Sequence, residues 1–138
     1  MIRSMTTLTV VAGLMIGQAQ ADTVKLSDAA VTQAECSACH QEYPARFLPA
    51  DSWTQILATL DQHFGEDAAL PADTVAQIAA YLTANASTQF SNIDPANPPL
   101  RITGLKWYKR VHDQFTDRAL ADPNIGTMSN CSGCHSGM

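Results

Sequence analysis

Basic side chains are scarce in this 138-residue chain, which has 8 Lys and Arg residues against 13 Asp and Glu residues. The formal net charge is -5 and the pI is about 5.1. This balance argues against nucleic acid as a partner, because phosphate binding needs a basic face. Charged residues make up only 15% of the chain and hydrophobic residues 46%, so the composition is neither disordered nor collagen-like. The length predicts one domain or two small ones.

The chain has no apolar run that is long enough to cross a membrane as a helix. Its one short apolar run, from Leu8 to Ile16, follows Arg3 and precedes the A-x-A sequence that ends at Ala21. This order of a basic residue, an apolar run and small residues is typical of a secretory signal peptide. We therefore predict that residues 1–21 are removed and that the product is a periplasmic protein that does not span a membrane. An uncleaved N-terminal anchor is the alternative.

The sequence also lacks any segment in which apolar and polar residues alternate for long enough to form a strand. Helical spacing is present instead, and we predict an all-α protein. The first helix starts after Ser27, a plausible N-cap, and runs into Cys36. A second helix is predicted to begin at Asp51 or Ser52, where an apolar stripe runs to Phe64. A third spans about 72–86, and an apolar stripe from Leu105 to Phe115 predicts a fourth.

The four cysteines form two CxxC pairs, and a histidine follows each pair directly. The two resulting CxxCH motifs comprise Cys36, Cys39 and His40, and Cys131, Cys134 and His135. Two cysteines three positions apart lie on one side of a helical turn and reach the two vinyl groups of one haem, while the adjacent histidine becomes an axial iron ligand. We therefore predict two covalently attached haem c groups.

Two other interpretations of the cysteine pairs are weaker. An all-cysteine zinc site uses two CxxC pairs, but it leaves both following histidines unexplained, and most of the chain separates the pairs. A thioredoxin-like redox pair belongs to a βαβ setting, which the helical pattern does not offer.

The remaining axial ligands are predicted from the histidine and methionine content. Beyond residue 21 the only methionines are Met128 and Met138, which lie too close to the second motif to reach the far side of its haem easily. His63 and His112 share helical spacing with apolar residues, so each points to a buried face where a haem would lie. A buried core histidine is the alternative at either position. Four histidines fill four axial positions, which predicts two bis-histidine haems; one open or water-bound site is the alternative.

The spacing along the chain pairs His40 with His63 and His112 with His135. Because a methionine ligand raises the haem reduction potential, two histidine ligands predict low potentials. Residues 92–99 contain three prolines and cannot form a helix. They divide the chain into an N-terminal haem domain, residues 22–91, and a C-terminal haem module, residues 100–138, which is too small to fold readily without a staple such as a covalently bound haem.

These motifs and their surroundings resemble the dihaem cytochrome c family of bacterial periplasms. The matching stretches span nearly all of residues 30–135, and they include Cys36-Ser-Ala-Cys-His40, Tyr43-Pro-Ala-Arg-Phe-Leu-Pro49, His63-Phe-Gly-Glu66 and Asn130-Cys-Ser-Gly-Cys-His135. The resemblance implies an N-terminal part folded like a class I cytochrome c and a small, irregular C-terminal haem module. It also implies bis-histidine ligation by His40, His63, His112 and His135.

The same resemblance implies an electron carrier rather than an enzyme. Its expected acceptor is an oxygen-binding monohaem cytochrome, and a membrane cytochrome b is an expected donor. Family chains continue past the last motif whereas this sequence stops at Met138, so we expect either a more exposed second haem or a truncated sequence. The rival function is a haem sensor or oxidoreductase with one open iron site that binds oxygen, nitric oxide or peroxide. No acid–base constellation near either motif favours that rival.

Overall fold

The structure is a computed structural model that describes residues 26–91 and 93–136. The predicted signal peptide and Met138 lie outside the described residues. Within these two ranges the chain has five α-helices joined by loops and short 3-10 turns, and no β-strand, which confirms the predicted all-α class. The helices are α1 (Asp28–Cys36), α2 (Ala50–Ala58), α3 (Ala72–Ala84), α4 (Lys106–His112) and α5 (Thr116–Ala121).

The first and third helices begin and end close to the predicted positions. The Ser27 side chain accepts a hydrogen bond from the Ala30 backbone N–H at 3.3 Å, so Ser27 is the N-cap of α1. Helix α1 ends at Cys36, which places the first CxxC pair on its last turn and the residues just beyond. Helix α3 ends at Ala84, two residues earlier than its sequence pattern suggests.

The second helix is shorter than its apolar stripe predicts. Helix α2 ends at Ala58, and a 3-10 turn, Leu60–Gln62, follows it. The chain then reverses, and the Ala68 N–H donates to the Leu60 carbonyl at 2.8 Å. Gly65 has a φ of 107°, a conformation that glycine adopts without a steric penalty and that the reversal requires. His63 therefore lies in a tight turn and not on the face of a helix, so the helical spacing used to place it was wrong.

One buried core joins the helices before and after the proline-rich segment. Helix α3 packs against both α1 and α2. Its fully buried Ile78 belongs to a cluster that also contains Trp53 of α2 and Tyr108 of α4. The Trp53 indole N–H donates to the Ala45 carbonyl at 2.8 Å, which satisfies its buried polar group. The described residues of 92–99 contain no helix, as predicted, and the division of the chain at that point stays a prediction.

The last part of the chain has little regular structure. The predicted stripe from Leu105 to Phe115 is only partly buried, because α4 ends at His112 and a 3-10 turn, Asp113–Phe115, leads into α5. Val111 and Phe115 remain 50% and 44% exposed. None of the helices in residues 26–91 and 93–136 is both long and apolar enough to cross a membrane.

Candidate haem sites

The first CxxCH motif wraps one turn at the end of α1. Its closing hydrogen bond runs from the His40 N–H to the Cys36 carbonyl at 3.4 Å. Cys36 is half-buried, whereas Cys39 and His40 are exposed. His40 Nδ1 lies 2.6 Å from the Gln41 carbonyl oxygen. Since a carbonyl only accepts hydrogen bonds, Nδ1 carries the proton, and Nε2 keeps a lone pair for a metal ion.

The turn after α2 holds His63 opposite His40. The two ring centroids are 6.2 Å apart and the ring planes differ by 15°. Burial lowers the pKa of His63 from its ordinary value, and the nearby His40 and Arg101 lower it further. The neutral imidazole that this favours is the form that binds a metal ion. The Phe64 ring packs edge-on against His63 at 4.8 Å, and the Arg101 guanidinium lies 4.2 Å from the Phe64 centroid.

The second CxxCH motif forms a 3-10 turn, Cys131–Gly133, which Asn130 holds in place. The Asn130 side-chain oxygen accepts from the Gly133 N–H at 3.2 Å, and its amide nitrogen donates to the Ile125 carbonyl at 3.1 Å. The His135 N–H donates to the Cys131 carbonyl at 2.8 Å, so this motif also wraps a single turn. Asn130 thus shapes the motif, a role that no spacing pattern in the sequence indicates.

His112, at the end of α4, faces the second motif. Its ring centroid is 6.1 Å from that of His135, and the ring planes are inclined by 67°. On its other side it stacks flat on Tyr108, with centroids 4.0 Å apart and planes 8° from parallel. His112 Nδ1 is 3.0 Å from the Tyr108 carbonyl oxygen, which leaves Nε2 available.

Both histidine pairs fit a metal ion placed between their rings. A metal–imidazole bond is about 2.0–2.1 Å long and a ring nitrogen lies about 1.1 Å from its centroid, so two imidazoles on opposite sides of one ion have centroids about 6.3 Å apart. The measured separations are 6.2 and 6.1 Å. Within the described residues, His, Cys, Asp and Glu form no cluster of three or more suited to a metal ion. Two histidines without further protein donors suit a haem, whose macrocycle would supply the other donors.

Comparison with known proteins gives matches to a family model and to solved structures. A sequence model of the dihaem cytochrome c family matches residues 32–138. The chain belongs to the dihaem cytochrome c family. Two solved structures of diheme cytochrome c from Rhodobacter sphaeroides are each 44% identical to it, with TM-scores of 0.69 and 0.64, over 78% of this chain and 90% of theirs. The diheme cytochrome from Shewanella baltica is 36% identical with a TM-score of 0.68, over 80% of this chain and 82% of its own. A comparison with curated proteins gave no match.

This dihaem cytochrome c therefore carries two covalently attached haem c groups and transfers electrons. Within the described residues, none of the four cysteines forms a disulfide with another. Burial, with the nearby Glu42 and Glu35, raises the pKa of Cys36 to about 11. An activated redox cysteine has a lowered pKa, so the thioredoxin-like interpretation finds no support here.

The two motifs of this cytochrome meet in space. The Ser132 N–H, within the second motif, donates to Gln41 Oε1 at 2.9 Å. Tyr43 stacks on His40 at 5.0 Å between ring centroids, and its hydroxyl donates to the Ser129 carbonyl at 2.8 Å. Sequence reasoning missed Gln41 and Tyr43, since a long-range contact leaves no periodic signal.

Tyr108 supports the second site as Tyr43 supports the first. Its hydroxyl donates to the Met128 carbonyl at 2.9 Å, next to the carbonyl that Tyr43 uses. The Met128 side chain is partly buried against the core. Two tyrosines that each stack on a histidine are thus tied to consecutive residues just before the second motif.

Proposed function

We propose that this protein is an electron carrier in which both haems have two histidine ligands. His40 and His63 bind the iron of the first haem, which Cys36 and Cys39 attach to the chain. His112 and His135 bind the iron of the second, which Cys131 and Cys134 attach. The observation that supports the proposal is the pair of imidazole separations, 6.2 and 6.1 Å, each matched to one iron between two rings.

The protein's part in electron transfer is to hold the haems and to orient their proposed histidine ligands. When bound, a haem supplies reversible one-electron chemistry at its iron. The Gln41 and Tyr108 carbonyls fix the proton on Nδ1 of His40 and His112, which directs the opposite nitrogen toward the metal. Tyr43 and Tyr108 pack flat against the same two imidazoles and hold their ring planes.

Low reduction potentials follow from the proposed ligands. A methionine ligand raises a haem potential relative to a second histidine. The Met128 side chain packs against the core cluster, and its carbonyl binds Tyr108. We therefore expect both midpoint potentials to lie below those of cytochromes with His/Met ligation.

The cellular setting is proposed from the sequence. Residues 1–21 direct export to the periplasm and are removed after Ala21, residues 22–91 and 100–138 form the two haem-binding parts, and residues 92–99 link them. The resemblance to the family supports an oxygen-binding monohaem cytochrome as acceptor and a membrane cytochrome b as donor.

Absorption spectroscopy with carbon monoxide tests the ligands. The purified protein should give two covalent haems by pyridine haemochrome assay, low-spin spectra in both oxidation states, and no rapid carbon monoxide binding when reduced. Stoichiometric carbon monoxide binding at one haem would instead show an open site and favour a sensor or oxidoreductase. A redox titration with midpoints in the His/Met range would contradict the proposed ligands.

A further inference from the structure

Gln41 lies between the two haem-binding motifs and contacts both. It directly follows His40, and its backbone carbonyl accepts the His40 Nδ1 hydrogen bond at 2.6 Å. Its side-chain oxygen accepts from the Ser132 N–H at 2.9 Å, across 91 positions of sequence. One residue thus binds an imidazole at the first site through its backbone and the second CxxCH loop through its side chain.

The Gln41 amide nitrogen is also unusual. Nε2 is buried and has no hydrogen-bond partner within the described residues. The amide group of Gln41 is therefore enclosed where its oxygen accepts from the second motif.

These contacts form a continuous connection. It runs from the His40 imidazole to the Gln41 carbonyl, along the Gln41 side chain, and across the hydrogen bond to Ser132, which is bonded to Cys131. The Tyr43 hydroxyl bond to Ser129, 2.8 Å long, holds the adjoining segment against the first motif. A change of the Gln41 side chain therefore alters the contact between the two motifs and leaves the backbone carbonyl that binds His40 in place.

We infer that Gln41 is a positioning residue that docks the second haem-binding motif onto the first and sets the rate of electron exchange between the two haems. The inference rests on the proposed function, since it takes His40 and Cys131 as groups that hold the two haems. The exchange moves one electron, so that one haem is oxidised as the other is reduced, and no bond or proton changes place.

Three variants of the full-length holoprotein test this role. Gln41→Leu removes both polar groups and keeps a similar volume. Gln41→Glu keeps an oxygen that accepts from Ser132 and removes the amide donor. Gln89→Leu is the matched control, because Gln89 is an exposed glutamine in the loop after α3. Two quantities are measured: the interhaem exchange rate from NMR exchange spectra of half-reduced protein, and hydrogen exchange at the Ser132 amide.

A single net hydrogen bond corresponds to about a fivefold change in an equilibrium. We expect Gln41→Leu to lower Ser132 protection by about fivefold and to slow interhaem exchange by a similar factor. Gln41→Glu should restore both to within about twofold of the wild type, as should Gln89→Leu. An unchanged exchange rate in Gln41→Leu, or an equal loss in Gln41→Glu, would overturn the inference.

Haem content separates positioning from general disruption. If Gln41→Leu retains only one haem while Gln41→Glu retains two, the docking hydrogen bond is supported; one haem in both variants overturns it. If only this inference fails, the wild-type protein still gives low-spin absorption spectra and does not bind carbon monoxide. Failure of the proposed function shows instead as carbon monoxide binding by the wild type.

Discussion

The imidazole rings of His40 and His63 are almost parallel, with planes 15° apart, whereas those of His112 and His135 are inclined by 67°. The two pairs have nearly equal centroid separations, 6.2 and 6.1 Å. Ligand type and distance therefore do not distinguish the two proposed iron sites. The relative orientation of the ligand planes does.

This difference predicts two distinct electron paramagnetic resonance signals from the oxidised protein. Each imidazole interacts with the iron d orbital that lies perpendicular to its ring plane, so parallel rings split two d orbitals and inclined rings leave them close in energy. The His40–His63 site should give a rhombic low-spin signal, and the His112–His135 site a more anisotropic one. Frozen-solution spectra with spin quantification check this, and two identical signals would contradict the ring geometry.

Replacing His63 should open the first site. In His63→Ala the iron loses one proposed ligand, and none of the neighbouring side chains in the turn, Gln62 and Phe64, is a good substitute. We expect a high-spin fraction near half of the total haem, and carbon monoxide binding at one haem per protein. Absorption and carbon monoxide titration measure both.

Gln62→Ala is the matched control for that variant. Gln62 is exposed and lies directly before His63 in the same turn, so its loss disturbs the turn without removing a proposed ligand. The control should remain low-spin and should not bind carbon monoxide. A His63→Ala protein that stays fully low-spin would exclude His63 as an iron ligand, whereas carbon monoxide binding by Gln62→Ala would show that disturbing the turn is enough to open the site.

The chemistry of the sites could be predicted from sequence because it depends on the spacing of cysteine and histidine residues that are close together in the chain. The CxxCH motifs place two thiols and an imidazole on one turn whatever the rest of the chain does, and the family comparison bears out two covalent haems. The structure also brings together the histidines that loop length pairs, His40 with His63 and His112 with His135. Ligation itself remains a prediction from that placement.

The surroundings of the sites could not be predicted, because they depend on contacts between distant residues. Tyr43 and Ser129 are 86 positions apart, and neither residue carries a pattern that indicates the other. His63 shows a different failure. Its apolar spacing continues that of α2, but Gly65 permits a chain reversal that ends the helical register before His63 is reached. Periodicity alone does not detect such a reversal.

The lowered pKa of His63 predicts how the protein responds to acid. Burial is its main cause, followed by His40 and Arg101. Below the ordinary pKa of 6.5 an unfolded chain protonates this residue while the folded chain keeps it neutral. Stability from His63 is therefore present above that pKa and falls as the pH drops toward the folded value. Iron binding to the neutral ring should act in the same direction.

A pH series of denaturant unfolding curves measures this effect. The free energy of unfolding should decrease between about pH 7 and about pH 5, and the decrease should be smaller in His63→Ala, which has no imidazole to protonate. Equal slopes in the two proteins would mean that His63 does not contribute to the acid response.

The Tyr43 hydroxyl provides the most direct test of how the second motif is anchored. Tyr43→Phe removes the donor of the 2.8 Å hydrogen bond and leaves the Ser129 carbonyl in a half-buried position without it. A loss of about 1–2 kcal/mol in the free energy of unfolding is expected. Tyr81→Phe is the control, because Tyr81 is also half-buried but its hydroxyl makes no hydrogen bond within the described residues. Guanidinium unfolding should separate the two variants by their midpoints. Since the Tyr43 ring would still stack on His40, the absorption spectrum of Tyr43→Phe should be unchanged, and a spectral change would show that the hydroxyl also affects the first haem.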